Sequence, residues 1–420
     1  MGNAIHYVDL FAGAGGLSEG FVRSGYLPVA HVESNPAACF TLKTRAARHF
    51  LFNADKYDRY LEYLYGKITR DDLYSDIPSK NIDSVINAEI GVKTLKSIFK
   101  KVDALLDGNK LDLIIGGPPC QAYSLVGRSR DKYKMQKDER NLLYLYYAEF
   151  LTRYRPRYFI FENVTGLLSA KDRNGKRYLD SMVTLFKKSG YKTEYKVLSA
   201  ENYGILQKRK RIILVGKRGR KTDFYPNPEK WDPGVLAGEI FSGLPEIQAG
   251  QGEVFSQDNK KCSSKWLKDA GISCNLAPIT WHTARPQKKQ DLQIYSIAVA
   301  LWNREKKRLE YNSLPERLKT HLNRDDFKDR FKVVASDLPY SHTVVAHIAK
   351  DGHYFIHPDM NQNRSITPRE AARIQTFPDD YFFESTTGKP SRTAAFQQIG
   401  NAVPVLLAQK IAEKLKEIWR

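Results

Sequence analysis

The residue of this sequence best placed for covalent chemistry is a cysteine behind two prolines. In Gly117-Pro118-Pro119-Cys120-Gln121 the pyrrolidine rings restrict the backbone just ahead of the thiol and present Cys120 rigidly, as a nucleophile requires. Cys39 sits in an apolar helical stretch and reads as a buried structural thiol. Cys262 and Cys274 lie in an irregular region without metal-ligating neighbours, and no CxxC pair occurs. A carboxylate stands in Phe161-Glu162-Asn163-Val164, and two alternate guanidiniums in Gln207-Lys208-Arg209-Lys210-Arg211. Alone, an exposed glutamate and a solvated basic run are the plainer readings; beside Pro-Pro-Cys the set is improbable by chance. Between them Arg128, Arg130, Lys132, Lys134, Lys137 and Arg140 outnumber Asp131, Asp138 and Glu139. Such a loop is either disordered surface or a lid that grips an anion.

The elements that must hold these groups follow from short apolar runs at 7–11, 29–32, 111–115, 158–161 and 211–215, separated by helical patterns. Buried parallel strands read this way when helices cover both faces. The expected fold is therefore α/β, a Rossmann-like, mostly parallel sheet. Cys120 and Glu162 then fall at the carboxyl ends of strands, where open α/β sheets bind ligands. The first strand breaks into Gly13-Ala14-Gly15-Gly16 and a helix. Ser18 stands where the third glycine of GxGxxG would be, so this is no dinucleotide fingerprint. Glu33 ends the next strand, where a carboxylate can bind both ribose hydroxyls. An adenosine-containing cofactor, or a tight turn with a surface glutamate, would produce this pattern.

Residues 51–86 read as a helical insertion without visible chemistry. From about 217 to 365 the βα rhythm is lost; glycines, prolines, tryptophans and basic clusters mark a smaller, irregular, β-containing lobe. Residues 350–353 read as a tight hairpin turn there. His342, His347, His353 and His357 are better explained as polar residues on strands than as metal ligands. Leu407, Ile411, Leu415 and Ile418 lie at helical spacing and make one apolar face. The expected division is 1–218 for catalysis and cofactor, 219–384 for a recognition lobe with its hinge, and 385–420 returning to the first unit. The 420 residues carry a net charge of +20, which points to a polyanionic partner. No run approaches a membrane span, and four cysteines suit a reducing compartment, so a cytoplasmic, monomeric protein is expected.

Taken in order, these segments resemble the DNA (cytosine-5) methyltransferases, of bacterial or phage restriction-modification type. The matching motifs are Asp9-Leu10-Phe11-Ala12-Gly13, Gly-Gly-Pro-Pro-Cys120-Gln121, Glu162-Asn163-Val164, Gln207-x-Arg209-x-Arg211, Thr367-Pro368-Arg369-Glu370, Arg373-Ile374-Gln375-x-Phe377-Pro378 and Gln398-x-Gly400-Asn401-Ala402-Val403-Pro404. They span about residues 5–412, apart from the insertion and most of the lobe. The resemblance implies S-adenosyl-L-methionine as cofactor, S-adenosyl-L-homocysteine as product, no metal, and double-stranded DNA as substrate, with a restriction endonuclease as a possible separate partner. Cys120 would attack C6 of a flipped-out cytosine, Glu162 would bind and protonate N3, Arg211 would hold O2, and Arg209 would support the site. Phe11, Gly13, Gly15, Glu33, Glu89, Pro118, Leu143, Asn401 and Ala402 are the implied cofactor contacts. Glu89 is carried over although the insertion precedes it. Gln121, Ser124, Arg128, Gln207 and Thr343 are the implied substrate contacts, Gln207 also ordering its segment, and Asn163 an anchor for the catalytic strand.

Three rivals use the same residues differently. One branch of the family methylates cytosine in tRNA, but a lobe of this size and the positive balance favour duplex DNA. A nicotinamide or flavin oxidoreductase would share the sheet; Ser18 and Pro-Pro-Cys argue against it. A catalytically dead DNA-binding relative would not need Cys120, Glu162, Arg209 and Arg211 together.

Overall fold

Alternate residues of the central strands point into two separate apolar clusters, which is why these segments fold as one covered sheet. Tyr7, Leu113, Ile115, Tyr158 and Ile160 enter one cluster, and Val8, Leu10, Ile114, Phe159 and Phe161 the other. The computed structural model describes residues 4–119, 142–219, 221–256, 263–273, 277–322 and 324–419. The sheet comprises β1 (His6–Leu10), β2 (Leu27–Glu33), β3 (Val85–Asn87), β4 (Leu113–Gly116), β5 (Tyr158–Asn163), β6 (Tyr191–Ser199) and β7 (Lys210–Arg218), in the order β3-β2-β1-β4-β5-β7-β6. β1 pairs in parallel with β2 and β4, β2 with β3, and β4 with β5; β7 runs antiparallel to β5 and β6. This is the Rossmann-like arrangement expected. β3 and β6 escaped the sequence reading for physical reasons: one has three residues, and the other is an edge strand whose middle is exposed and polar.

The helices are α1 (Gly16–Arg23), α2 (Pro36–Asn53), α3 (Tyr57–Leu64), α4 (Arg70–Ser75), α5 (Ser79–Asp83), α6 (Leu95–Leu106), α7 (Leu143–Tyr154), α8 (Tyr178–Lys188), α9 (Lys265–Asp269), α10 (Lys289–Glu305), α11 (Arg324–Phe327), α12 (Pro368–Ile374), α13 (Arg392–Asn401) and α14 (Val405–Glu417). The apolar stripe of α14 buries Leu407, Ile411 and Leu415 against α1 and its neighbours, and Tyr26 donates to the carbonyl of Ala412 at 3.0 Å. The 51–86 insertion is helical as expected, and it has a mechanical task. Tyr60 donates to the Asp380 carbonyl at 2.7 Å, and Tyr57 to its carboxylate at 3.0 Å. Tyr63 and Thr44 donate to Glu384 at 2.5 and 2.7 Å. The insertion thereby holds the segment that returns from the lobe.

In the lobe, β8 (Gly252–Phe255) and β9 (Thr280–Thr283) pair antiparallel. Ile294, Tyr295, Val299, Leu314 and Phe331 form a cluster of their own around α10. Trp266, Leu267 and Trp281, by contrast, join the large cluster under the seven-stranded sheet. The expected hairpin at 350–353 is instead an isolated turn: Phe355 N–H reaches the Gly352 carbonyl at 2.8 Å, but the only pairings nearby among described residues are single bridges of Ile356 with Val333 and Ser365. Nor do the histidines lie on strands. His342 and His357 are held by contacts to the Tyr354 carbonyl and the Asp359 amide, and burial pushes both rings down to about 4.

The hinge into α12 is built on a buried ion pair. Arg364 grips Glu370 through two bonds of 2.8 and 2.7 Å, both side chains being 1% exposed. The same carboxylate caps the helix by accepting from Thr367 N–H at 2.7 Å. Arg364 holds the Glu370 carboxyl well below the usual carboxylate range, outweighing the burial that would raise it. Its stabilisation is therefore present above that range and is lost as pH falls toward its folded value. Glu370→Gln should lower unfolding free energy by about 3–5 kcal/mol in urea melts at neutral pH, because it strands a buried guanidinium. The same variant should lose less stability than the wild type between about pH 5 and 3.

Candidate active site

The carboxyl ends of β4 and β5 and the start of β7 converge on one pair of charges. Register places Gly116 opposite Phe161 and Glu162 opposite Ile213. Arg211, two residues before Ile213, thus shares a face with Glu162 at the diagonal position of an antiparallel pair. Its Nε lies 2.7 Å from Glu162 Oε1, with both side chains about one-seventh exposed (14% each). This pair can present a carboxyl and a cation to one planar polar substrate. Gly117 is needed at its side: a Cβ there would lie 2.6 Å from Glu162 Oε2 and 2.9 Å from the Glu162 carbonyl. Asn163 anchors the neighbouring strand end, donating to the Pro118 carbonyl at 3.2 Å and accepting from Val164 N–H at 2.9 Å. The lead-in to Cys120, with Pro118 buried and Pro119 exposed, is therefore fastened to the Glu162 strand. Cys120 itself, with Gln121, Ser124, Arg128 and the rest of the basic loop, lies outside the described residues.

Gln207 and Arg209 make the supporting contacts expected of them and not a substrate-facing one. Gln207, read as a substrate contact, is fully buried; its amide nitrogen donates to the Ile374 carbonyl and Gln375 Oε1 at 3.2 and 3.0 Å, and its oxygen accepts from Val344 N–H at 2.8 Å. Arg209, grouped with the catalytic residues, is 1% exposed and donates to the carbonyls of Val344 (2.6 Å), Ala402 (2.8 Å) and Gly400 (3.3 Å). Both precede β7 and turn inward, where buried carbonyls and an amide need partners, so they position the segment that leads into the strand. Thr343 is half-buried and donates to the Lys208 carbonyl, which fixes the lobe's last segment beside β7.

A second set lies around the β1–β4 switch point, the crevice where such sheets bind ligands. Phe11 and Gly13 take positive φ, +58° and +56°, and a Cβ on Gly13 would meet nothing within 4 Å. Gly13 thus borders open space. Gly15, expected to touch cofactor, is instead packed into protein: a Cβ there would lie 2.8 Å from Leu42 and 2.9 Å from the Tyr381 hydroxyl. Glu33 accepts from Gly13 N–H at 2.8 Å through Oε2, and from Asn35 N–H at 2.7 Å and the Ser34 hydroxyl at 3.4 Å through Oε1. The carboxylate keeps capacity for a ribose hydroxyl. Glu89 is exposed just past β3, whose Asn87 and Ala88 bond to the Glu33 carbonyl. Pro118 follows β4, half-buried Leu143 opens α7, and exposed Asn401 and buried Ala402 end α13. Open glycine, two carboxylates and apolar edges suit an adenosine ligand. Sequence reasoning placed Asp9 and Gly117 in motifs but gave neither a role. The signal for the first was a lone carboxylate inside the apolar run Tyr7-Val8-Asp9-Leu10-Phe11.

A cavity of about 1050 Å³ opens elsewhere, at the amino end of β2 between α1 and α2. Its Glu19 carboxylate is already paired with Arg45 at 2.6 Å and with His49 at 3.0 Å. Of the switch-point turn it touches only Gly15, and neither Glu33 nor the Glu162–Arg211 pair lines it.

A profile of the C-5 cytosine-specific DNA methylase family matches residues 79–417. The type II methyltransferase M.Bpa9945I of Bacillus paralicheniformis is 39% identical, with 98% of each chain covered. M.DdeI of Desulfomicrobium norvegicum, also a type II methyltransferase, is 30% identical over 98% of this chain and 88% of its own. A crystal structure described as a DNA modification methyltransferase encoded within an E. coli prophage superposes with a TM-score of 0.65 at 22% identity, covering 99% of both chains, which speaks to the fold. Sheet order and glycine turn define an S-adenosylmethionine-dependent methyltransferase fold. The chain belongs to the C-5 cytosine-specific DNA methylase family, as a DNA (cytosine-5-)-methyltransferase of the type II restriction-modification kind. Membership removes the oxidoreductase reading.

Gly117→Ala should push the Glu162 carboxylate away from Arg211. Methyl transfer to DNA should fall on the order of 100-fold, the cost of misplacing a reacting group by about an ångström. The check is initial rate with labelled cofactor, beside a urea melt to show that the variant is folded.

Proposed function

We propose that the protein methylates C5 of a cytosine flipped out of duplex DNA, within a specific sequence, through a transient covalent bond between Cys120 and C6. The observation that carries the reading is the Glu162–Arg211 pair at 2.7 Å, beside the Pro-Pro mount that leads to Cys120. Cytosine C5 is too electron-poor to attack a methyl sulfonium directly. Addition of the Cys120 sulfur to C6 makes C5 an enamine carbon, provided that N3 gains a proton, which Glu162 supplies. Arg211 holds O2 in the same plane. S-adenosyl-L-methionine, when bound by Glu33, Glu89, Phe11, Gly13, Pro118, Leu143, Asn401 and Ala402, supplies an electrophilic methyl group and leaves as S-adenosyl-L-homocysteine. Loss of the C5 proton then lets the Cys120 sulfur depart and restores the ring. Because the target is inaccessible within a duplex, the nucleotide leaves the stack. Gln121, Ser124, Arg128 and the basic loop would close over it; removal of water strengthens the Arg211 and Glu162 contacts.

We assign residues 219–384 to sequence readout and 1–218 with 385–420 to catalysis. Thr343 lies where the lobe meets β7, and Arg, Lys, Asn and Gln side chains of the lobe are the groups suited to base edges. The positive balance acts through phosphates. A restriction endonuclease of the same specificity is a possible separate partner, and the proposed working unit is a monomer. The tRNA reading draws no support from the relatives, which are named type II methyltransferases.

DNA with 5-fluorocytosine at the target should trap the enzyme, since fluorine cannot leave C5 as a proton does. The adduct should require S-adenosylmethionine, survive denaturation, and map by mass spectrometry to the Cys120 peptide. Cys120→Ser should abolish trapping and turnover while leaving specific DNA binding within about twofold, a hydroxyl being far less ionised than a thiol. A Cys120→Ser protein methylating at a comparable rate would refute the covalent route.

A further inference from the structure

The stretch Lys171-Asp172-Arg173-Asn174-Gly175-Lys176-Arg177 carries four cations and one carboxylate, and it belongs neither to the recognition lobe nor to the basic loop after Cys120. It follows β5 by way of a short helical turn, Thr165–Leu168, and leads into α8, which runs back to the level at which β5 and β6 begin. The stretch therefore stands at the carboxyl end of β5, the end that carries Glu162 and Asn163. Its base is fastened there. Leu167, Ala170 and Tyr178 are buried in one cluster with Tyr144, which lies in the first turn of α7. Asp172 is within electrostatic reach of the same Tyr144. In the chain, α7 comes directly after the segment that carries Cys120.

The turn keeps its shape without spending most of its cations. Lys171 and Arg177 close it through an antiparallel bridge, and Asp172 N–H donates to the Lys176 carbonyl at 2.9 Å. The Asp172 carboxylate accepts from the N–H groups of Asn174 and Lys176, both at 2.9 Å, so the one acid of the turn serves its main chain. Gly175 takes φ of +79°, which lets the chain reverse. Arg177 is committed to Asp180 through bonds of 2.8 and 3.0 Å. Lys171, Arg173 and Lys176 are exposed and form no ion pair with a carboxylate among the described residues. Cations carried on a backbone already fixed lose less entropy on gripping an anion than cations on a free segment.

We propose that this turn is a sequence-independent grip on the phosphate backbone flanking the target cytosine, a third contact with DNA beside the lobe and the basic loop. The inference rests on the duplex-DNA reading above. Duplex DNA presents one negative charge per about 1.7 Å of its axis, so a basic projection at the reacting end of the sheet meets phosphates whatever the bases are. Lysine ammonium groups are point charges on flexible stems, suited to phosphates more than to a fixed pattern of base edges. The grip adds affinity without choosing sequence. It also assigns part of the DNA contact to the catalytic unit, so that residues 1–218 hold the substrate as well as react with it.

Fluorescence anisotropy of the full-length protein with a duplex containing its methylated sequence, repeated over a series of salt concentrations, tests this. Replacing all three free cations (Lys171→Gln, Arg173→Gln and Lys176→Gln) should lower the slope of log affinity against log salt by about two to three, each phosphate contact being worth about 0.9. The methylated sequence, read by bisulfite sequencing, should stay the same. Exchanging charge for charge (Lys171→Arg, Arg173→Lys and Lys176→Arg) should keep the wild-type slope. So should Lys187→Gln with Lys188→Gln, two exposed lysines at the opposite end of α8. An unchanged slope in the triple Gln variant would overturn the proposal, as would an equal drop in the Lys187 and Lys188 variant or a change of methylated sequence. Wild-type affinity for the duplex that does not fall with salt would remove the duplex-DNA reading itself, and with it this inference.

Discussion

The site depends on a few buried donors that turn the lead-in to β7 into a clamp. Arg209 spends its guanidinium on the carbonyls of Val344, Gly400 and Ala402, and Gln207 joins Val344 to Ile374 and Gln375. Three distant stretches are held by two side chains: the end of the lobe, the turn after α12 and the end of α13. A charged donor to a buried carbonyl is worth about 1.5–3 kcal/mol, and leaving the acceptors bare costs a comparable amount. Lys208, between Gln207 and Arg209, is fixed as well, its N–H bonded to the Ser341 carbonyl at 2.9 Å. Arg211 follows Arg209 by one strand period, so whatever places Arg209 also sets Arg211 against Glu162.

Other buried polar contacts close the chain on itself in the same way. Arg45 bridges Glu19 of α1 and Asp380, and Arg48 takes the second oxygen of Asp380. Arg45 and Arg48 together hold the Asp380 carboxyl well below its usual range despite burial. Arg373 pairs with Asp379 and also reaches the Ile240 and Ser242 carbonyls. These contacts attach residues 373–384, at the end of the 219–384 segment, both to helices of the catalytic unit and to the preceding part of the lobe. The proposed covalent reaction would need a thiol, a carboxyl and a cation placed to within a fraction of an ångström, and a chain whose motifs lie far apart can achieve this by locking their connections.

Much of this was legible in the sequence because the central strands are apolar on both faces. Their ends, Phe11, Glu33, Gly117 and Glu162, could be located by where the apolar runs stop. Glu162 with Arg211 followed from motif order, and the stripe of α14 from its spacing. What stayed hidden depends on contacts between remote residues. Motif order singled out Gln207 and Arg209 from the exposed Lys208 and Lys210, but not the partners they bond in the lobe and at the end of α13. Tyr57, Tyr60 and Tyr63 looked like insertion filler because Asp380 and Glu384 lie more than three hundred residues away. The hairpin expected at 350–353 failed because glycine chemistry specifies a turn but not the strands around it.

The central claim is that the clamp and the Glu162–Arg211 pair together make a sequence-specific cytosine methyltransferase. Bisulfite sequencing of host DNA from cells expressing the wild type or Arg209→Met tests it most directly. The account predicts 5-methylcytosine at one position of a single short recurring sequence with the wild type. It predicts near-complete loss of that mark with soluble, folded Arg209→Met. Methylation scattered without a shared sequence, or an undiminished mark in the variant, would contradict it.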